Sequence, residues 1–541
     1  MNKNALFTAV FALASLPAVA EELPLPEGPY EPTWESLRKY DCPEWFRDAK
    51  FGIWAHWGPQ CVEESGDWNA RSIYLEGTKQ YKEHLKNYGH PSEYGFKDVL
   101  PDFKAEHWNP DSLVSFYKSV GARYFMALGN HHDNFDLWDS KFQPWNSVAI
   151  GPHRDLLAGW AAAAQKCGLP FGVSLHADHA WTWYEPSRRY DRSGDKVAAN
   201  YDGWLTKEDG KGKWWEGLDP QDLYVQNHPF SKGNWADYMI HNQWAWENGA
   251  DIPSEEFRQN FLNRTLDVIE RYKPDVLYFD VTVAPFHGID NTGEKIASAL
   301  YNSSLAVHDG EQRAVMTCKI LPDSLRKAMT WDVERGAPNH IIPLPWQTCT
   351  CLGDWHYNRE FYENGWYKSA GQVARMLVDV VSKNGNLLLS VPLRADGTFD
   401  EKEYAILLEL RKWMQTNGEA IYSTRPWKVF GEGPIADADI TMNGPGFNEG
   451  SYSNPSADEI RFTQTRSHLY ATVLRWPDAD GPQSVTIRSL AKGSKLFTKG
   501  IGRVELLGYG PVPFKRTKDG LIVELPSQHD DAIAPVLKIK K

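Results

Sequence analysis

The chain has 541 residues, 42% hydrophobic and 24% charged, with a formal net charge of -13. That length buries a large core in more than one domain, and the acidic balance argues against nucleic acid or anionic lipid as the main partner. Six cysteines are too few for a disulfide-built scaffold, and no run after residue 20 reaches the roughly 18 to 20 apolar residues of a membrane span.

Met1 to Ala20 places Lys3 before an apolar run, Ala5 to Leu16, and ends Ala18-Val19-Ala20 ahead of Glu21-Glu22. This predicts a secretory signal cleaved after Ala20 and a secreted or periplasmic protein. Pro24, Pro26, Pro29 and Pro32 then make an extended lead-in. Phe51 to Ala55 reads as a strand that ends at His56 and turns at Gly58-Pro59.

A helix starts at Asn109-Pro110-Asp111, carries Leu113, Phe116, Tyr117 and Val120 at helical spacing, and stops at Gly121. The strand Tyr124 to Leu128 follows and runs into Asn130-His131-His132-Asp133-Asn134-Phe135. The helix Leu156 to Cys167 leads to the strand Phe171 to Leu175, which ends at His176-Ala177-Asp178-His179. A long segment rich in Trp, Asp, Gly and Lys, from about 181 to 259, interrupts the pattern and is expected to wall a cleft. The helix Glu255 to Arg271 breaks at Lys273-Pro274, and the apolar run Val276 to Phe279 stops at Asp280.

Further elements are a strand over Ala314 to Ile320, a helix over Gly371 to Ser382, a strand over Asn386 to Val391 and a helix over Glu401 to Thr416. After Pro426 the helical period vanishes, and short alternating runs at Glu459 to Thr463, Leu469 to Leu474, Ser484 to Ile487 and Leu521 to Leu525 predict a β-sandwich. The fold class is therefore α/β: a (β/α)₈-like barrel over 21–425, followed by a C-terminal antiparallel β-sandwich over 426–541.

Active sites of such barrels sit at the carboxyl ends of the strands. There the sequence puts His56, His131, His132, Asp133, His176, Asp178, His179 and Asp280, with Glu334 further on. Asp280 reads either as a catalytic acid or as the cap of a turn, and His56 as a mouth or a core residue. A hydrolytic metal centre and a carboxylate-pair glycosidase both draw on this set. No segment has the His-x-x-x-His spacing that sets two ligands on one helical face, so no metal and no cofactor is expected. Twenty-four tryptophans tilt the reading toward carbohydrate.

Several stretches together resemble glycoside hydrolase family 29, the α-L-fucosidases. They are Ala49 to Pro59, Gly66 to Arg71, Asn130 to Phe135 and Leu277 to Asp280, then Ser382 to Leu389 and Asn417 to Tyr422 before Pro426-Trp427. The resemblance implies a retaining mechanism in which Asp280 is the nucleophile and Glu334 the acid/base. It implies sugar contacts from His56, Asp67, Trp68, His131, His132, His176, Lys319 and Trp346. Where some members carry Trp-Glu, this chain has Trp346-Gln347, and an amide cannot shuttle a proton; Asp332, Glu63 and Glu64 are the alternatives to Glu334.

Asn130, Asn134 and Asp67 also depart from the usual residues and are expected beside the sugar, with consequences for which sugar fits. The implied substrate is an oligosaccharide or polysaccharide ending in L-fucose or, as an α-L-galactosidase on the same scaffold, L-galactose. Gln347 motivates a third reading, a non-catalytic sugar-binding homologue.

Overall fold

The computed structural model describes residues 22–232, 246, 249–438, 440–442, 445–452, 455–477, 483–527 and 533–541. The expected signal at 1–20 and part of the 181–259 segment lie outside these residues. Eight parallel strands close a barrel in sequence order: β1 (Phe51–Ala55), β2 (Tyr124–Asn130), β3 (Phe171–Leu175), β4 (Val276–Thr282), β5 (Val315–Lys319), β6 (Thr330–Glu334), β7 (Trp346–Cys351) and β8 (Gly385–Ser390). Ile53 pairs with Phe125 of β2 on one side and with Leu389 of β8 on the other, which closes the ring.

The helices form where caps and apolar spacing agree. Asn109 accepts from the Ser112 amide ahead of the helix Pro110–Val120, and Asp155 accepts from Ala158 ahead of Leu156–Cys167. Ser254 caps Glu255–Tyr272, and capping boxes Ser369/Gln372 and Asp400/Glu403 open Ala370–Ser382 and Glu401–Asn417. The crossovers from β5 to β6 and from β6 to β7 carry no helix. Neither β6 nor β7 was expected from the sequence.

The described residues of the 181–259 segment form short turns and helices ahead of the helix Glu255–Tyr272, and Trp183, Tyr184, Trp215, Leu223 and Tyr224 among them are buried in the main hydrophobic core. No helix among the described residues is long and apolar enough to cross a membrane. All six cysteines are free thiols.

The C-terminal part begins at the strand Arg425–Glu432. It holds a six-stranded and a three-stranded antiparallel sheet. Trp427, Phe462 and Leu469 of one sheet and Val485, Leu521 and Val523 of the other share one apolar core. It is fastened to the barrel by buried groups. Arg461 Nε donates to Asp379 at 2.5 Å and its Nη1 to Glu459 at 2.9 Å, while Lys383 Nζ donates to Asp379 at 2.7 Å.

A second seam reaches the barrel mouth. The Glu334 amide donates to Pro445 O at 3.0 Å, and the Phe447 amide donates to Glu334 O at 2.8 Å. A methyl on Gly446 would lie 1.9 Å from that carbonyl, so only glycine fits here.

Candidate active site

Six of the eight strands deliver polar side chains at their carboxyl ends to one mouth. His56 follows β1, His131 and His132 follow β2, His176 follows β3, and Asp280, Lys319 and Glu334 come from β4, β5 and β6. The centre is a charge triad. Lys319 Nζ lies 2.6 Å from Asp280 Oδ1 and also bonds Glu334 Oε2. Two carboxylates hydrogen-bonded to one nitrogen have those oxygens at most about 6 Å apart.

Imidazoles surround Asp280. His132 Nε2 is 3.8 Å and His176 Nδ1 4.0 Å from its Oδ2, and His179 Nε2 donates to its backbone carbonyl at 3.0 Å. His132 Nδ1 donates to His176 O at 2.9 Å, which turns its Nε2 toward the carboxylate.

A second group lies beside this one. His356 Nδ1 donates to Asp67 Oδ1 at 2.8 Å, and His131 Nε2 is 3.9 Å from the same oxygen. The Gln60 amide bonds His131 Nδ1 at 2.8 Å, fixing the proton of neutral His131 on the nitrogen that faces Asp67. The His56 ring is 4.5 Å from His356, 5.0 Å from His131 and 5.7 Å from His176, centroid to centroid. Trp68 is held at φ +62°, a backbone region costly for an indole residue, and meets the His132 ring edge-on at 5.7 Å. From the 181–259 segment, Trp183 meets both Trp68 and His132.

Burial sets the protonation states. It opposes the Asp280 charge, but Lys319, with His132 and His179, outweighs it and holds this carboxyl below its ordinary value. For Glu334 burial wins: it raises the carboxyl despite Lys319, and the Asp280 charge raises it further. The two carboxyls are thus shifted in opposite directions. Burial also pushes His56, His131, His176 and His179 well below the usual imidazole value, His132 down to about 4 and His356 to about 3.

Neutral imidazoles offer both a donor and an acceptor. Both nitrogens of His56 and of His176, and Nε2 of His356, are buried with no hydrogen-bond partner among the described residues. The ligand atoms of His56, Asp67, His131 and His356 lie within 4.8 Å of one another, so this corner could also hold a metal ion.

Of the sugar contacts that the resemblance implied, Trp346 is the one the structure does not bring to the mouth. It opens β7, at the opposite end of the barrel, and its indole donates to Lys383 O at 2.9 Å. Gln347 lies inside the barrel, bonded to Tyr124 and Asp332. Asp332 is likewise enclosed, with Cys349 3.2 Å away, and burial raises it to about 7.

Glu63 is taken up by His84 and Asn69, and Glu64 by Arg359. Asn130 and Asn134 do not face the mouth: Asn130 ties Asp136 to the His176 and Ala177 amides, and Asn134 ties Arg264 to the carbonyls of Asp222 and Leu223. Sequence reasoning missed His356, Trp355 and Trp54, whose rings line the His56 corner. The signal for the first two was β7, which went unread.

A closed parallel barrel whose mouth holds two carboxyls shifted in opposite directions, among neutral imidazoles and indoles, is the arrangement of a glycoside hydrolase. The chain belongs to the alpha-L-fucosidase family: the model described as "Alpha-L-fucosidase" matches residues 18–419 and that described as "Alpha-L-fucosidase C-terminal domain" matches 454–540. It is 26% identical to plasma alpha-L-fucosidase of Homo sapiens over 509 residues, covering 92% of this chain and 88% of that one. With tissue alpha-L-fucosidase of Rattus norvegicus it shares 25% over 482 residues, 87% of this chain and 84% of the other.

Among solved structures, the Thermotoga maritima alpha-fucosidase superposes with a TM-score of 0.66 at 24% identity, over 94% of this chain and 100% of that one. Alpha-L-fucosidase isoenzyme 1 from Paenibacillus thiaminolyticus gives 0.61 at 20% identity, over 94% and 99%. These likenesses bear on the fold.

Proposed function

We propose that this protein is an exported, retaining exo-α-L-fucosidase that removes terminal α-L-fucosyl units from oligosaccharides or polysaccharides. The observation that carries the reading is the Lys319 bridge: one ammonium shared by Asp280 and Glu334 keeps the two carboxyls close. Their separation suits the roughly 5–5.5 Å of retaining enzymes better than the 6.5–9.5 Å of inverting ones. The leader at residues 1–20 supports export.

Ionised Asp280 attacks the anomeric carbon as Glu334 gives its proton to the departing glycosidic oxygen. The aglycone leaves and a fucosyl ester on Asp280 forms. Glu334, now ionised, takes a proton from water; the resulting hydroxide displaces Asp280 and releases L-fucose of unchanged anomeric configuration. Lys319 offsets the charge that moves between the two carboxyls. The unpartnered nitrogens of His56, His176 and His356 are satisfied by sugar hydroxyls, which accounts for their burial without partners.

The test is hydrolysis of an aryl α-L-fucoside, with the aryl α-L-galactoside in parallel, by wild type and Glu334→Ala with sodium azide added. Release of fucose as the α anomer first, and α-L-fucosyl azide from the variant, are expected. First release of the β anomer, or a Glu334→Ala enzyme that azide leaves unchanged, overturns the assignment.

A further inference from the structure

Outside the catalytic mouth, a cavity of about 360 Å³ opens between the turn after Trp68 and the 181–232 segment. Its lining includes Arg188, Arg189 and Arg192 together with Tyr190, Trp204 and Phe230. Three arginines gathered in one pocket stand out on a chain whose net charge is -13.

Arg188 is the informative one. It is only 6% exposed. Its Nη1 donates to His228 O at 2.6 Å, whereas Nε and Nη2 are buried without a hydrogen-bond partner among the described residues. A buried guanidinium with idle donors costs stability unless something accepts from them.

Glu185 and Asp251, the carboxylates whose charge reaches Arg188, bond other groups: Glu185 takes the Ser231 amide and hydroxyl, and Asp251 takes the Trp181 indole with His228 beside it, while Glu76 takes the Arg192 amide and the Ser193 hydroxyl. The guanidinium plane rests over the Phe230 ring at 3.9 Å, which orients the fork. Tyr190 is 51%, Trp204 50% and Phe230 42% exposed, leaving aromatic faces in the opening.

We propose that this pocket binds an anion-bearing sugar unit of the substrate chain, a sulfate ester or a uronic acid carboxylate, with Arg188 gripping the anion and Trp204 or Tyr190 stacking on the ring. The inference rests on the carbohydrate reading above and adds to it a second binding site. Two independent groups of donors and aromatic faces converge there: planar guanidinium forks suit oxyanions, and indole faces suit the apolar side of a pyranose. The cavity also falls in the size range of small-ligand sites.

Its position fits an extension of the mouth. Arg71, next to the Trp68 turn, donates to Trp183 O, so both walls of the pocket are continuations of residues that border the mouth. From Trp183 to Arg188 the chain is helical or tightly turned, a reach of roughly 10 Å. Sugars leading away from the cleaved bond can span that distance.

The experiment titrates the intact chain, with L-fucose present, with D-galactose 6-sulfate, D-galacturonic acid and D-galactose, followed by calorimetry. Wild type, Arg188→Gln and Trp204→Ala are compared, and each is assayed on an aryl α-L-fucoside. At least one anion is expected to bind about tenfold or more tighter than D-galactose, and the tighter of the two names the source of the charge. Arg188→Gln should lose that preference about tenfold, and Trp204→Ala, a half-exposed site that leaves the core intact, should weaken both anions by about five- to tenfold.

Aryl fucoside kcat/KM should stay within about twofold in both variants, since neither residue touches the mouth. Anions that bind no better than D-galactose, or affinity that survives both substitutions, overturn the proposal. A protein that binds the anions but leaves the fucoside intact breaks the fucosidase reading and keeps this site. One that hydrolyses the fucoside and shows no anion preference does the reverse.

Discussion

Two buried charge clusters in this molecule look alike and behave in opposite ways. At the seam between barrel and C-terminal sheets, Asp379 and Glu459 meet Lys383 and Arg461: two anions, two cations. At the mouth, Asp280 and Glu334 share Lys319 alone. The seam is sealed, with Arg461 and Glu459 at 0% and Asp379 at 4% side-chain exposure, while Asp280 keeps 20% and Glu334 15%.

Balanced and closed, the seam has no proton to move: burial opposes the Asp379 charge, but Lys383 and Arg461 together hold its pKa below the ordinary value. The mouth is short of one positive charge, and there burial and the Asp280 charge together raise the Glu334 carboxyl above its ordinary value despite Lys319. Arrangement of the same residue types, one cation more or fewer, separates a fastener from the proposed acid catalyst.

Removing charge from the mouth should have the largest effect. Asp280→Asn leaves Lys319 facing a single carboxyl and replaces the proposed nucleophile with an amide, so kcat on an aryl α-L-fucoside should fall about 10⁴-fold or more, with thermal stability retained. A variant still within tenfold of wild type would place the reaction elsewhere.

Next comes the seam. Arg461→Met leaves Glu459 without its cation and Asp379 with Lys383 alone, and breaking a buried network of this kind costs about 3–5 kcal/mol. Urea unfolding should show that loss, while the folded fraction keeps wild-type KM. An unchanged midpoint would mean the two clusters are not opposites after all.

Lys319→Met sharpens the contrast through pH. In the proposed mechanism activity requires Asp280 ionised and Glu334 protonated, so the acid limb of kcat/KM should follow Asp280 and the alkaline limb Glu334. Lys319 lowers both groups. Its removal should move both limbs to higher pH and cut kcat/KM about a hundredfold at the optimum. The smallest effect belongs to Gly446→Ala, whose methyl meets the Glu334 carbonyl. Displacing the strand that carries the acid should lower kcat by about two- to tenfold, more for aryl fucosides with poor leaving groups than for good ones. Equal losses on both would assign Gly446 to stability alone.

Much of this architecture was legible from residue order. Strands that are apolar throughout and end at His or Asp, such as Phe51–Ala55 and Val276 to Phe279, announce a parallel barrel, because both faces are covered and only the end meets solvent. Asp280 and the histidines after β1, β2 and β3 followed from that.

What stayed hidden has a common cause. β6 and β7 lie side by side with no helix between them; they carry Asp332 and Gln347 into the barrel interior, and on the outer face of β7 Thr348 and Thr350 bond Gly336 and Glu449. With neither the apolar run nor the flanking helix, no local pattern marks them. His356, five residues past β7, was lost with its strand, and Trp346 was placed at the mouth because a motif was matched without knowing which end of the strand it opened. Asn130 and Asn134 sit beside site residues in sequence, but their short amides bond the scaffold, a direction that neighbours in sequence do not reveal.

The strand-like contact around Gly446 also carries a lesson for anyone who would cut this protein into parts. Residues 445–449 fall between the stretches matched by the two family models, in what a boundary drawn by homology would treat as disposable linker. They nevertheless flank the backbone of Glu334 on both sides. A shortened barrel ending near residue 425 would retain every side chain of the mouth and lose the splint on one of them, and a chimera with a foreign C-terminal module would inherit the same defect unless those few residues travelled with the barrel.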